Sequence, residues 1–134
     1  VLIGSGIKIM KWTKEPRNFL EKHGKEFSGR ENVLGLFVCC LSAVTDKEHA
    51  RKEYLEKIME KIGVTADICD AFGGVLDFSE SSRMGFLNKK MLKTAAKGMQ
   101  KDMGLEIDEN GKNDFRDWDQ IQDFAERFAV LVKG

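Results

Sequence analysis

Two stretches of this chain carry residue types suited to holding a flat ligand. In Ser5-Gly6-Ile7-Lys8-Ile9-Met10-Lys11-Trp12, the glycines at 4 and 6 permit close approach of backbone to a bound group. Trp12 offers an aromatic face for stacking or, equally, a plug for the entrance of the helix that follows. In Leu41-Ser42-Ala43-Val44-Thr45-Asp46, small side chains can lie along a ring edge and leave backbone amides to face it. The same residues also make an ordinary strand-to-helix connection.

Other candidates for chemistry are weaker. Cys39, Cys40 and Cys69 form no Cys-x-x-Cys pair and no zinc-spaced cluster with histidine, and an odd count fits a disulfide framework badly. Reduced thiols in apolar runs are expected, with Cys39 and Cys40 on opposite faces of a strand. His23 and His49 lie on predicted helices without a Ser or Cys nucleophile pattern nearby, which reads as surface histidine. Asp108-Glu109-Asn110-Gly111-Lys112 fails as a calcium loop, because the glycine comes too early and a lysine takes a ligand position.

The elements that must position these residues follow from periodicity. Short continuous apolar runs alternate with longer amphipathic stretches, the pattern of helices crossing over a parallel sheet buried on both faces. Strands are predicted at Val1 to Gly4, Val33 to Cys40 and Ala66 to Leu76, the last interrupted by Gly73-Gly74. Thr13 begins a helix with Pro16 in its first turn, running to about His23–Phe27, and Ser28 to Asn32 turns into the second strand. Thr45-x-x-Glu48 predicts a capping box, with Tyr54, Ile58, Met59 and Ile62 as the apolar face and Gly63 as the stop. A helix over about Ser82 to Met103 carries Met84, Leu87, Met91, Ala95 and Met99 on one side and Lys89, Lys93, Lys97 and Lys101 on another. Residues 104–116 read as an irregular excursion. Asp117 with Gln120 caps a final helix bearing Ile121, Phe124, Phe128 and Leu131. The usual crossover rule makes this order an all-parallel, right-handed arrangement.

Composition bounds the function. The chain has 134 residues, room for one ordinary domain, and 42% apolar against 33% charged residues with a single proline is a globular rather than a disordered composition. Lysine plus arginine and aspartate plus glutamate number 22 each, which argues against a general nucleic-acid binder. No apolar run is long enough to span a bilayer and no signal peptide is evident, so a cytoplasmic location is expected. The chain opens with Val1 inside an apolar run, which predicts that an N-terminal portion is missing.

Several segments together resemble a known family. Val1-Leu2-Ile3-Gly4-Ser5-Gly6-Ile7-Lys8 with the following Asn18 to His23 helix is similar to the third strand and helix of flavodoxin-like proteins. Gly35 to Leu41, Ala71 to Leu76 and the helix Asp117 to Ala125 match as well, and the branch they most resemble contains the menaquinone-dependent protoporphyrinogen dehydrogenases. The resemblance implies a three-layer α-β-α fold lacking its first strands, as one partial domain over 1–134 with an insertion at about 78–116. It implies FMN as cofactor, with Ser5, Gly6, Ile7, Lys8 and Trp12 on one side of the ring and Leu41, Ser42, Ala43 and Thr45 on the other. The Ser/Thr- and Gly-rich phosphate loop of the family has no counterpart in these residues.

The function so implied is an FMN-dependent oxidoreductase or electron carrier, working with a redox partner protein or a quinone. Its alternatives are a quinone-linked protoporphyrinogen dehydrogenase and a flavodoxin-fold interaction module that binds no flavin. A bare apolar edge at Val1–Ile3 predicts self-association. The methionine-rich helix with its lysines is either packed with a solvated basic face or a peripheral membrane or partner surface.

Overall fold

The computed structural model describes residues 1–29 and 31–134; Arg30, within the turn expected before the second strand, lies outside the described residues. Two compact units are formed, one from Val1–Gly74 with Arg116–Gly134 and the other from Val75–Phe115.

In the first unit, the apolar runs become three parallel strands, β1 (Leu2–Lys8), β3 (Gly35–Cys39) and β4 (Ile68–Phe72). The sheet order is β2-β1-β3-β4, where β2 (Lys11–Trp12) runs antiparallel to the end of β1. The sheet is therefore mixed, and the all-parallel expectation is corrected. The residues 5–8 expected to form a loop extend β1, because Ser5 and Gly6 continue the parallel pairing opposite Val38 and Cys39.

Helix α1 (Lys14–Phe27) buries Leu20 and Gly24 against one face of the sheet. The crossover from β3 to β4 contains a short turn α2 (Ser42–Thr45), then α3 (Lys47–Arg51), a π-helical turn (Lys52–Glu56) and α4 (Lys57–Ile62). The expected Thr45–Glu48 capping box does not form. Asp46 is the N-cap of α3, its carboxylate accepting from the His49 N–H at 3.0 Å, while Thr45 Oγ1 donates to the Ser42 carbonyl and closes α2. Gly63 ends α4 with φ +75°, a backbone conformation that costs glycine little.

Two clusters fill the faces of this sheet. Trp12, Leu20, Leu34, Leu36, Val38, Ala50 and Leu55 pack beneath α1 and the β3–β4 crossover. On the opposite face Phe72 and Phe124 of α6 (Trp118–Lys133) meet edge to face at 5.4 Å, with Phe37 beside them. Asp117 caps α6 as expected, accepting from the Asp119 and Gln120 amides at 3.1 Å each. The Gln120 side chain does not complete a box. It reaches the Asp70 carboxylate and the Ala71 carbonyl instead, at 3.2 and 3.0 Å, fixing the start of α6 to the end of β4.

The second unit contains a two-stranded antiparallel ribbon, β5 (Val75–Asp77) with β6 (Lys112–Asp114), and helix α5 (Phe86–Met103). The strand expected to run from Ala66 to Leu76 thus splits at Gly73-Gly74, and its last residues belong to a different sheet. Phe78, Ala96 and Ile107 form the core, joined by Leu92 and Met99. Buried Asn113 ties the loops together, donating to the Leu76 and Asp108 carbonyls and accepting from the Asp108 N–H at 2.7 Å. The apolar face of α5 is rotated from its expected position: Leu92, Ala96 and Met99 turn inward, while Leu87, Met91 and Ala95 face solvent. Among the described residues no helix is long and apolar enough to cross a membrane, and no group of His, Cys, Asp or Glu is arranged to hold a metal ion.

Candidate functional site

In a parallel sheet the strand carboxyl ends and the loops beyond them converge on one rim, where ligands bind. Here that rim is formed by the turn after β1, by residues 40–45 after β3, and by Gly73-Gly74 after β4. The Cys40 N–H donates to the Phe72 carbonyl at 2.9 Å and carries the β3–β4 pairing to the rim.

The sequence-predicted residues divide by role. Ser5 is buried, and its hydroxyl is occupied: it accepts from the Thr13 N–H at 3.0 Å, lies 3.1 Å from Thr13 Oγ1 and donates to the Gly6 carbonyl. This knot joins the base of the β1–β2 hairpin to the start of α1, and it explains why Thr13 makes no side-chain cap of its own. Trp12 is also buried, with its indole N–H donating to the Tyr54 carbonyl at 2.6 Å. Its ring lies in the core between the hairpin and the β3–β4 crossover. Gly6 is open, and an added Cβ there would meet nothing within 4 Å. Ile7 is half-buried against the core and pairs with Trp12 across the hairpin, while Lys8 pairs with Lys11 and is exposed.

The turn Lys8-Ile9-Met10-Lys11 holds the non-glycine residues with positive φ among the described residues. Ile9 and Met10 have φ of +50° and +58°, and they are 77% and 73% exposed. A two-residue hairpin turn with both φ positive favours Asn-Gly, and a β-branched residue there is a genuine outlier. The candidate segment Ser5 to Trp12 contains these two side chains, but they were not singled out, since nothing in Ile-Met signals a tight turn. The strained, exposed apolar pair is a surface held out at the rim.

Across the rim, Leu41, Ser42 and Ala43 are half-buried and Thr45 is exposed on the single turn of α2. Ser42 Oγ donates to Cys40 Sγ at 3.4 Å. The Tyr54 hydroxyl interacts with Ser42, and its phenol is held above the usual value, first by burial and then by the neighbouring Cys40, with Ser42 pulling the other way. Burial likewise pushes the Cys39 thiol up, aided by Cys40 and opposed by Arg116. Both groups are protonated at neutral pH, so Cys39 supplies no thiolate nucleophile. Cys39 packs with Phe37 and Phe72 on one face and Cys40 with the core of the other, as expected for adjacent strand positions.

Sequence reasoning also missed groups brought to this end of the sheet by α6. The Arg116 guanidinium lies 4.8 Å from the centre of the Trp118 ring, which is 60% exposed, and the Asp70 carboxylate is buried beside the helix start. His49 is exposed and His23 pairs with Glu26 along α1.

Residues 1–104 match the Flavodoxin domain family. With well over half of the chain covered, this protein belongs to that family. No curated protein and no solved structure matches the chain.

Proposed function

We propose that this protein is an FMN-dependent electron-transfer protein or oxidoreductase whose rim at the strand carboxyl ends receives the isoalloxazine ring. The observation that carries the reading is the Ile9-Met10 turn, read on a Flavodoxin-domain sheet: two apolar side chains are held exposed, against backbone preference, where a planar ligand would be covered. Their chemistry fits the dimethylbenzene and central rings of a flavin. The open Gly6 backbone and the Leu41, Ser42, Ala43 and Thr45 segment fit its polar edge. In this assignment Ile7 and Lys8 present the turn, and Ser5 and Trp12 hold its base without touching the ligand. FMN, when bound, supplies the electron or hydride chemistry. The chain's residues bind the ring, exclude water from it and direct backbone dipoles at it. Titrating the full-length protein into FMN and following flavin fluorescence tests the reading. Saturable quenching is expected, and protein that stays colourless in excess FMN favours an interaction module that binds no flavin.

A second reading concerns partners and is favoured by the second unit. Phe86, Leu87 and Met91 are 80, 78 and 60% exposed on α5, beside a groove lined by Lys90, Lys93, Lys97 and Glu109. Of the lysines expected to form a free stripe, Lys89 donates to the Ser79 carbonyl and Lys93 to Asn110, so the outward cations are Lys90, Lys97 and Lys101. An apolar ridge flanked by lysines suits an anionic bilayer surface, where each lysine contributes about 1 kcal/mol. This fits a redox partner drawn from the bilayer, such as a quinone; protoporphyrinogen as donor is the narrower version. The protein is expected to sediment with anionic liposomes and to be released by salt and by Lys→Glu at 90, 97 and 101. Equal recovery from neutral and anionic liposomes contradicts it.

A further inference from the structure

The hairpin that carries Ile9 and Met10 is too short to hold itself. Only Ile7 with Trp12 and Lys8 with Lys11 are paired, and an isolated two-stranded ribbon is marginal even without a strained turn. Its anchor lies in the β3–β4 crossover. There the helix widens into a π turn in which the Lys57 N–H reaches back five residues to the Lys52 carbonyl. Such widened turns cluster at functional sites. Inside this one, Tyr54 accepts the Trp12 indole N–H at 2.6 Å, so a donor from another element enters the helix where its ladder is most open. One residue of the π turn thereby holds the second strand of the hairpin through its backbone carbonyl, while its ring packs against the core beneath the rim.

We infer that Trp12 is a positioning residue, locked onto the Tyr54 carbonyl of the π turn, and that this lock fixes the Ile9-Met10 turn over the ligand site. The inference rests on the flavin reading for its ligand and on the hairpin geometry for its mechanism, and the two are tested separately. Trp12→Phe keeps an aromatic ring in the core and removes only the N–H donor and part of the volume. Val64→Ala, a truncation in the same core remote from the rim, serves as the control for lost packing.

Amide exchange followed by NMR, without ligand, is expected to quicken about tenfold at Ile7, Lys8 and Lys11 in Trp12→Phe and to stay unchanged at Leu36 and Val38. In the same variant the FMN dissociation constant is expected to rise about tenfold, the scale of one lost hydrogen bond. Val64→Ala is expected to lower the melting temperature and leave both readouts at their wild-type values. Unchanged hairpin exchange, equal quickening throughout the sheet, or equal loss of FMN affinity in Val64→Ala overturns the inference. If Trp12→Phe does not fold, exchange of the Trp12 indole N–H in the wild-type protein decides: protection like that of the β3 amides supports the lock, and rapid exchange overturns it. Wild-type protein that binds no FMN removes the flavin reading alone, and the exchange measurements then decide the lock.

Discussion

Replacing Ile9-Met10 by Asn-Gly is expected to make the protein more stable and a poorer flavin binder. Both residues sit in the left-handed region, at φ of +50° and +58°. That conformation costs an ordinary L-residue roughly 1–2 kcal/mol, whereas Asn and Gly adopt it readily in a two-residue hairpin. Relief of the strain should contribute about 2 kcal/mol, read as a melting temperature several degrees higher. The same change removes two exposed apolar side chains, 77% and 73% accessible, from the proposed ring contact. Losing about 1.4 kcal/mol of contact weakens binding tenfold, so the FMN dissociation constant should rise at least that much. Opposite signs in the two measurements are the signature. A variant that gains stability and binds FMN as before means the turn does not meet the ligand.

Gly4→Ala is expected to be among the most damaging single-methyl changes in the chain. Gly4 lies directly opposite Phe37 in the β1–β3 ladder, and a Cβ built on it falls within the Phe37 ring. That ring has little room to retreat, since Phe72 and Phe124 stand 5.8 and 6.4 Å away, centre to centre. Forcing a methyl into a packed aromatic cluster costs typically 1–3 kcal/mol, and the rigid strand opposite sets the upper end here. Chemical denaturation should show a loss of about 3 kcal/mol. The double variant Gly4→Ala with Phe37→Leu is expected to recover part of it; a neutral Gly4→Ala would mean the strand simply moves aside. Gly6→Ala, two residues on, meets open space and should leave stability nearly unchanged.

These glycines illustrate what was legible in the sequence. Both were read as places where a bound group could approach the backbone; the structure adds a packing reason at Gly4, whose neighbour across the strand is Phe37, while Gly6 lies opposite Cys39 and meets open space. Strands β3 and β4 were read from apolar runs that must be buried on both faces. The ends of α4 and α6 were read from Gly63 and Asp117, whose local chemistry acts without tertiary help. The start of α3 was misplaced by one residue because Thr45 and Asp46 both cap well, and which one leaves the helix is decided by where α2 closes.

Tertiary context hid the rest. Ser5-Gly6-Ile7-Lys8 lacks the composition of a strand, yet pairing with Val38, Cys39 and Trp12 extends β1 through it. Helix α5 carries apolar residues on two sides; periodicity picked out Met99, which packs on the core, but not Leu92 and Ala96 beside it. The hairpin turn defied its usual sequence signal, and the π turn has none that a single sequence displays. Both loops were legible as segments at the strand ends; which of their side chains are buried and hydrogen-bonded, and which are exposed, came from the structure.

The central claim is that FMN binds at the rim formed by these loops. Amide chemical-shift mapping of the full-length protein during FMN addition tests it most directly. The largest shifts are expected at Gly6 to Lys11 and at Leu41 to Thr45, with small changes in the second unit between residues 75 and 115. Saturating FMN that shifts other residues and leaves both loops unperturbed would contradict it.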